Sequence, residues 1–212
     1  MAAPQRLDLP PWVVAREGQE IAKWFGRVGV VLAVTAVVTV SAQLAVPIPG
    51  TPVPVTLQDL AVLAVGMLLG PVRGGVAIAS YLVIGAMGAP VFANGNGGLP
   101  WLMGPTGGYL LAFPLAAFVI GHASRRERLW ILVLGVVAAQ FVVFTCGVGQ
   151  LAWVTGSNLR VAIDLGLVPF LPGMALKSVL ITIFGAALAA HRRGEAQGGG
   201  PHHENAIETR GR

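Results

Sequence analysis

The chain has 212 residues, of which 55% are hydrophobic and only 11% charged, and its formal net charge is +5. Because a soluble domain usually carries about 25% charged residues, this composition excludes an ordinary soluble globule, and its high hydrophobicity excludes a disordered chain. The single cysteine, Cys146, excludes an internal disulfide and a thiolate metal cluster within one chain.

Long stretches without charge predict the helices of a membrane protein. No charged residue lies between Arg27 and Asp59 or between Arg73 and His122. These stretches are far longer than the ~18 apolar residues that mark a membrane span. We predict an all-α membrane protein with six transmembrane helices, at residues 28–46, 57–69, 75–88, 106–120, 129–154 and 167–190.

The second and third predicted helices are short. About 14 residues at ~1.5 Å rise per residue cover ~21 Å, whereas the hydrocarbon core is ~30 Å thick, so these helices need support from neighbours or local thinning of the bilayer. A re-entrant hairpin is the alternative, but it would leave Arg73 near mid-membrane, which costs several kcal/mol. Two spans joined by a cytoplasmic turn at residues 70–75 avoid that cost.

The basic residues predict the orientation, because lysine and arginine are enriched in cytoplasmic loops. Twelve of the 14 fall at the termini, in the turn at 70–75 and in the loop at 122–128, which six helices place on one side. We therefore predict a cytoplasmic amino-terminal segment (residues 1–27), a transmembrane domain (28–190) and a flexible cytoplasmic tail (191–212) in a multi-pass protein of the cell membrane. Nucleic-acid binding is not indicated, since no aromatic residues are interleaved with the basic ones.

Two segments on the opposite side are unusual for loops. Val46–Asp59, here called the Pro-rich segment, has four prolines in eight residues, which exclude a helix and favour a stiff, extended chain. It is apolar enough to pack across the mouth of the bundle as a lid or plug, although a rigid connector is the alternative. Ala89–Pro105, the Gly-rich segment, combines glycine with asparagine and aromatic residues. Such a backbone closes over a small molecule or forms a mobile tip.

The fourth predicted helix begins at Gly104-Pro105-Thr106-Gly107-Gly108-Tyr109. Proline and threonine suit a first helical turn, and the paired glycines permit close approach of another helix. Tyr109 brings one hydroxyl into apolar surroundings. Plain helix packing is the alternative explanation for this motif.

Lys177 is the residue that most strongly indicates a ligand. It lies inside the sixth predicted helix, and an ionisable residue within a span is by default a functional hypothesis. Its ammonium would bind an anionic group taken from water; the alternatives are extension towards the interface or pairing with Asp164. Together with Gln43, Gln58 and Thr56 at the same side, it suggests an outward-facing pocket. We expect Asp59 to cap the second helix or to pair with Arg160.

Motifs of common enzymes are absent. The sequence contains no Walker A pattern, no Gly-x-Ser-x-Gly and no His-Glu-x-x-His. All four histidines fall in the predicted cytoplasmic parts, and the predicted spans hold no pair of carboxylates. We therefore predict no catalytic or metal site, no cofactor and no ATPase site in this chain.

Three motifs together carry a family resemblance. The Pro-rich segment, the stretch Gly104–Leu110, and Pro169-Phe170-Leu171-Pro172-Gly173 followed by Lys177 resemble the biotin-specific substrate-binding subunits of energy-coupling-factor vitamin transporters. The resemblance covers about residues 28–190. It implies a six-helix subunit that binds biotin with high affinity from outside and mediates its uptake, together with a membrane coupling subunit and two ATPase subunits.

The resemblance also implies where biotin and the coupling subunit bind. Lys177 would meet the biotin carboxylate, hydroxyl and amide groups would meet the ureido ring, and apolar side chains would enclose the rest. The expected substrate-binding residues are Lys177, Gln58, Thr56, Tyr81, Phe92, Asn96, Tyr109 and Met174. Met174 stands where the family usually has an aspartate, for which Asp164 is a candidate substitute. The coupling subunit would dock on small residues of the first helix, Gly29, Ala33 and Ala36. The competing hypotheses are another small vitamin bound by the same fold and a non-transport membrane scaffold.

Overall fold

The computed structural model describes residues 11–126 and 128–198, and these are mostly helical. The all-α prediction is confirmed, apart from two strands of two residues each. In chain order the elements are α1 Pro11–Gln43, β1 Ala45–Val46, β2 Val55–Thr56, α2 Gln58–Leu69, α3 Pro71–Ala86, α4 Leu99–Met103, α5 Gly107–Ala123, α6 Leu129–Thr155, α7 Leu159–Gly166 and α8 Leu171–Gly198. Short 3₁₀ turns lie at Ala93–Gly95, Ser124–Arg126 and Val168–Phe170.

Four helical stretches are long and apolar enough to cross a membrane. They are Lys23–Gln43, Gly107–Arg126, Leu129–Thr155 and Leu159–Glu195. Helices α2 and α3, with 12 and 16 residues, are apolar but shorter. Bulky apolar side chains cover the outside of the helices, among them Val137 and Phe141 on α6 and Leu176 and Ile183 on α8. This surface suits hydrocarbon as its solvent.

Several helix boundaries differ from the prediction. Helix α1 begins at Pro11 and ends at Gln43 instead of residue 46, because Ala45–Val46 pairs antiparallel with Val55–Thr56. Helix α3 begins at Pro71, not residue 75, since Gly70 turns the chain alone with a φ of 80° and proline suits a first helical position. Helix α8 continues to Gly198, into the predicted tail; residues 199–212 lie outside the described part.

Helix α5 lies at the centre of the bundle. Its side chains Ala116, Ala117 and Ile120 are fully buried, as are Met67 of α2 and Ile78 of α3. Glycines let the helix backbones meet: a Cβ at Gly66 would collide with the Ala117 carbonyl oxygen.

The close approach predicted for the glycine pair at the start of α5 is confirmed. A Cβ at Gly108 would collide with the backbone carbonyl of Cys146 on α6, and one at Gly107 would collide with that of Leu102. The pair therefore brings the first turn of α5 against α6 and α4.

Candidate functional site

A cavity lies where the Pro-rich and Gly-rich segments meet the ends of α2, α5, α6 and α8. About 620 Å³ of space that is free of protein atoms lies within it, including the part that opens to solvent. Val53 and Pro54 cover it from the Pro-rich segment, and Ala93 and Trp101 line it from the Gly-rich segment. Residues 46–57 of the Pro-rich segment are not helical, as predicted, and this part packs on the bundle with Val53 buried.

Lys177 lies on the wall of this cavity and forms an ion pair. Its Nζ donates to Asp59 Oδ1 at 2.7 Å and to the Thr56 carbonyl oxygen at 3.1 Å. The two charged side chains are only 12% and 15% exposed. The alternative in which Lys177 pairs with Asp164 is wrong, and so is Arg160 as the candidate partner of Asp59. The two charges that stand alone in apolar sequence pair with each other, because each lowers the cost of burying the other.

Gln58 is oriented by a chain of hydrogen bonds behind the cavity wall. The Tyr81 hydroxyl donates to the Val91 carbonyl oxygen at 2.9 Å and therefore accepts from Gln58 Nε2 at 2.8 Å. This direction fixes the orientation of the Gln58 side-chain amide. Its Oε1 atom therefore remains available to accept a hydrogen bond from a ligand. Since Gln58 lines the cavity and Tyr81 does not, Tyr81 positions a binding group rather than contacting the cavity.

Three hydroxyl groups line the cavity. Thr56 Oγ1 accepts from the Gln58 backbone N–H at 3.2 Å, which leaves its own proton for another acceptor. Thr106 precedes α5 but its side chain does not cap the helix. The Tyr109 hydroxyl donates to the Gly166 carbonyl oxygen at 2.7 Å, so Tyr109 can only accept from a ligand.

Aromatic rings form the apolar walls. Phe144 packs edge-on against Tyr109, with ring centroids 5.9 Å apart, and lies 6.2 Å from Phe170. Phe113 and Trp101 complete this lining. Phe92, predicted as a wall, is fully buried behind Tyr81 and fills the space above Gly85. It supports the site without lining the cavity.

Asn96 and Met174 also lie away from the cavity wall. Asn96 Nδ2 donates to the Ala93 carbonyl oxygen at 2.7 Å, so this side chain shapes the Gly-rich segment. Met174 lines a separate apolar groove between α6, α7 and α8. Of the eight predicted binding residues, the cavity brings together Lys177, Gln58, Thr56 and Tyr109.

Two further glutamines hold the Gly-rich segment against the bundle. Gln43, expected among the pocket residues, donates to the Phe92 carbonyl oxygen at 2.9 Å and accepts from the Gly95 N–H at 2.8 Å. Gln150 donates to the carbonyl oxygens of Leu102 and Gly104 at 2.8 and 2.9 Å. These bonds satisfy backbone groups at the ends of the two short helical elements of this segment, Ala93–Gly95 and Leu99–Met103.

The sequence reasoning did not single out most of the apolar lining. Leu110, Phe113, Val143, Phe144 and Phe170 line the cavity, but in uniformly apolar helices their spacing carries no signal. Asp59 did carry a signal in the sequence, because it is the only acid in the long stretch from Arg27 to Arg73. It is as isolated among apolar residues as Lys177.

The comparison with known families settles the relationship. The sequence model described as the BioY family matches residues 18–194. The chain belongs to the BioY family. It is 40% identical to the "Biotin transporter BioY" of Thermotoga maritima over 73% of this chain and 90% of that protein. It is 37% identical to the "Probable biotin transporter BioY" of Pyrococcus horikoshii over 76% and 95% of the two chains. The family resemblance seen in the motifs is thus confirmed.

The fold is also that of a solved relative. The S-component for biotin from an ECF-type ABC transporter superposes with a TM-score of 0.70 and 26% identity, over 79% of this chain and 92% of that one. As a BioY-family chain with apolar helices of spanning length, it is a multi-pass membrane protein. The cavity described above is the candidate ligand site of this BioY-family protein.

The predicted docking residues lie on the exposed face of α1. Gly29, Ala33 and Ala36 are exposed, whereas Val34 and Val38 on the opposite face are buried. A Cβ at Gly29 would meet nothing within 4 Å. This face of α1 is open to another membrane helix in the described part of the chain.

Proposed function

We propose that this BioY-family protein is the membrane-embedded, high-affinity biotin-binding subunit of an uptake system. The observation that carries this proposal is the cavity in which Lys177, the Gln58 amide and threonine hydroxyls face aromatic walls. Lys177 would bind the carboxylate, Gln58 Oε1 would accept from a ureido N–H, and Thr56 would donate to the ureido oxygen. Phe113, Phe144 and Phe170 would then enclose the ring and the alkyl chain.

The arrangement matches biotin better than a generic apolar ligand. A molecule with one carboxylate, one cyclic urea and an apolar remainder needs a cation, an acceptor and a donor at separate points. The names of the relatives from Thermotoga maritima and Pyrococcus horikoshii support the same ligand. The wider proposal includes Tyr81, Phe92 and Asn96 as residues that support the site from behind, without contacting biotin.

A binding titration tests this proposal. The purified chain in lipid nanodiscs is titrated with biotin, and with thiamine and riboflavin as unrelated vitamins. We expect saturable binding of one biotin per chain with sub-micromolar affinity and no saturable binding of the other two. Saturation by thiamine or riboflavin alone would assign the cavity to another vitamin. Binding of none of the three would favour a membrane scaffold.

We further propose six membrane-spanning helices with both termini in the cytoplasm. Helices α1, α5, α6 and α8 have spanning length, while α2 and α3 cover only about 18 and 24 Å at ~1.5 Å per residue. Both short helices pack against α5, with Met67 of α2 and Ile78 of α3 fully buried, so neighbouring helices support them. The cluster of arginines at residues 125–128 and the Arg73 turn support a cytoplasmic location for that side, within the plasma membrane.

Uptake in this proposal is energised by other proteins. A membrane coupling subunit with two ATPase subunits would dock on Gly29, Ala33 and Ala36, whose small side chains permit close helix packing. Replacing Ala36 by Leu should leave biotin binding intact but abolish co-purification with the coupling subunit and biotin uptake by cells. Val40→Leu changes an exposed residue of α1 that is not one of these small docking residues. It is the matched control and should retain both co-purification and uptake.

A further inference from the structure

The ligand cavity is lined by two charged side chains of opposite sign, Asp59 and Lys177, and by no other charged residue that the structure describes. Their ion pair of 2.7 Å makes the charge of the cavity wall zero. A Lys ammonium has three donors, and two of them are occupied by Asp59 and the Thr56 carbonyl oxygen. One N–H of Lys177 therefore remains for a ligand.

Asp59 is held in its charged position by more than Lys177. It lies in the first turn of α2, where the helix dipole stabilises a carboxylate. A ligand carboxylate that takes the remaining donor of Lys177 must come close to this second negative charge. Attraction to Lys177 and repulsion from Asp59 then oppose each other within a site of reduced polarity, where charges act strongly.

We propose that Asp59 is a specificity-determining residue, which limits how strongly the cavity prefers a carboxylate ligand over its neutral amide. This inference rests on the proposed function, because the test uses biotin. With Asp59 present, the wall offers a compensated cation, so acid and amide bind with similar affinity. Without Asp59, the full charge of Lys177 faces the ligand and the acid is favoured.

The experiment compares biotin with biotin amide, in which a neutral amide replaces the carboxylate. Both are titrated into the purified protein in nanodiscs, and the ratio of the amide Kd to the acid Kd is the readout. We expect a ratio within about tenfold of unity for the wild type, and a rise of about tenfold or more in Asp59→Asn, because the negative charge that disfavours the ligand carboxylate is then removed. Arg160→Gln, which removes an exposed charge on α7 outside the cavity, should leave the ratio unchanged.

A second pair of variants removes the concern that Asp59→Asn merely moves Lys177. In Lys177→Met the unpaired Asp59 should repel the acid, and the ratio should fall below that of the wild type. Adding Asp59→Asn to Lys177→Met should raise the ratio again by about tenfold, with no lysine present to be repositioned.

The outcomes separate the two claims. An unchanged or lowered ratio in Asp59→Asn, with biotin still bound, would overturn the specificity role, as would equal ratios in Lys177→Met with and without Asp59. Failure of the wild type to bind either compound would contradict the proposed function, and this inference with it.

Discussion

The two ends of the helical bundle are built on different principles. At the cavity end, apart from the glycine pair at the start of α5, side-chain groups hold the chain: Gln43 and Gln150 bind backbone groups of the Gly-rich segment, and Asp59 binds Lys177. At the opposite end, glycines bring backbones into direct contact, as Gly66 does against α5 and Gly121 against α2. Side-chain bonds can surround empty space, whereas glycine contacts eliminate it. The first end should therefore determine affinity, and the second the stability of the bundle.

The largest effect on binding is expected from Lys177→Met. This change removes the only cation that lines the cavity among the described residues and leaves Asp59 unpaired. Truncating one partner of a buried charge pair costs about 2–5 kcal/mol, so biotin affinity should fall at least ~30-fold in a nanodisc titration. Arg160→Met, an exposed charge outside the cavity, should leave the affinity unchanged. Retained affinity in Lys177→Met would remove Lys177 from the site.

At the opposite end, substitution of a buried glycine should lower the stability of the protein. In Gly66→Ala the new Cβ collides with the Ala117 backbone, and overpacking of this kind costs about 1–3 kcal/mol. Gly149→Ala on α6 adds the same methyl group where nothing lies within 4 Å, so it should be neutral or stabilise by up to ~1 kcal/mol through helix propensity. Thermal unfolding in detergent measures both. Equal melting temperatures would contradict the claim that glycine contacts stabilise this end.

Tyr81→Phe tests whether the buried hydrogen bonds serve binding. The variant leaves the Val91 carbonyl and the Gln58 amide without their shared partner, which costs about 1–3 kcal/mol and frees the Gln58 side chain to rotate. We expect biotin affinity to fall ~5–30-fold, although Tyr81 does not line the cavity. Combining it with Gln58→Ala should add little, because both changes disable the same group. Full additivity would mean that Tyr81 acts independently of Gln58.

The same division explains what could be predicted from the sequence. The absence of charge from residues 28 to 58 and from 74 to 121 was sufficient to predict most helices, since the cost of burying charge in lipid constrains every residue. The glycine pair at the start of α5 likewise predicted its close packing. These signals are local, and each can be read from one short segment.

Contacts between residues far apart in the chain were harder to predict from the sequence. Asp59 and Lys177 are 118 residues apart in the chain, whereas Asp164 is much nearer to Lys177 in sequence and does not pair with it. A better rule is that two opposite charges, each isolated in apolar sequence, form an ion pair with each other. Phe144 could not have been predicted, because α6 is apolar on all sides and its burial depends on the positions of Tyr109 and Phe170.

The smallest effect on binding is expected from Met174→Leu. Met174 faces the groove between α6, α7 and α8 instead of the cavity, and Leu has a similar volume, so the substitution costs little in packing. Biotin affinity should stay within about twofold of the wild type in the same titration. Because Asp59 already supplies the acid next to Lys177, position 174 has no charge to contribute to the site. A loss of affinity comparable to that of Tyr81→Phe would show that α8 rotates on binding and brings Met174 to the ligand. Met174 would then belong to the binding site.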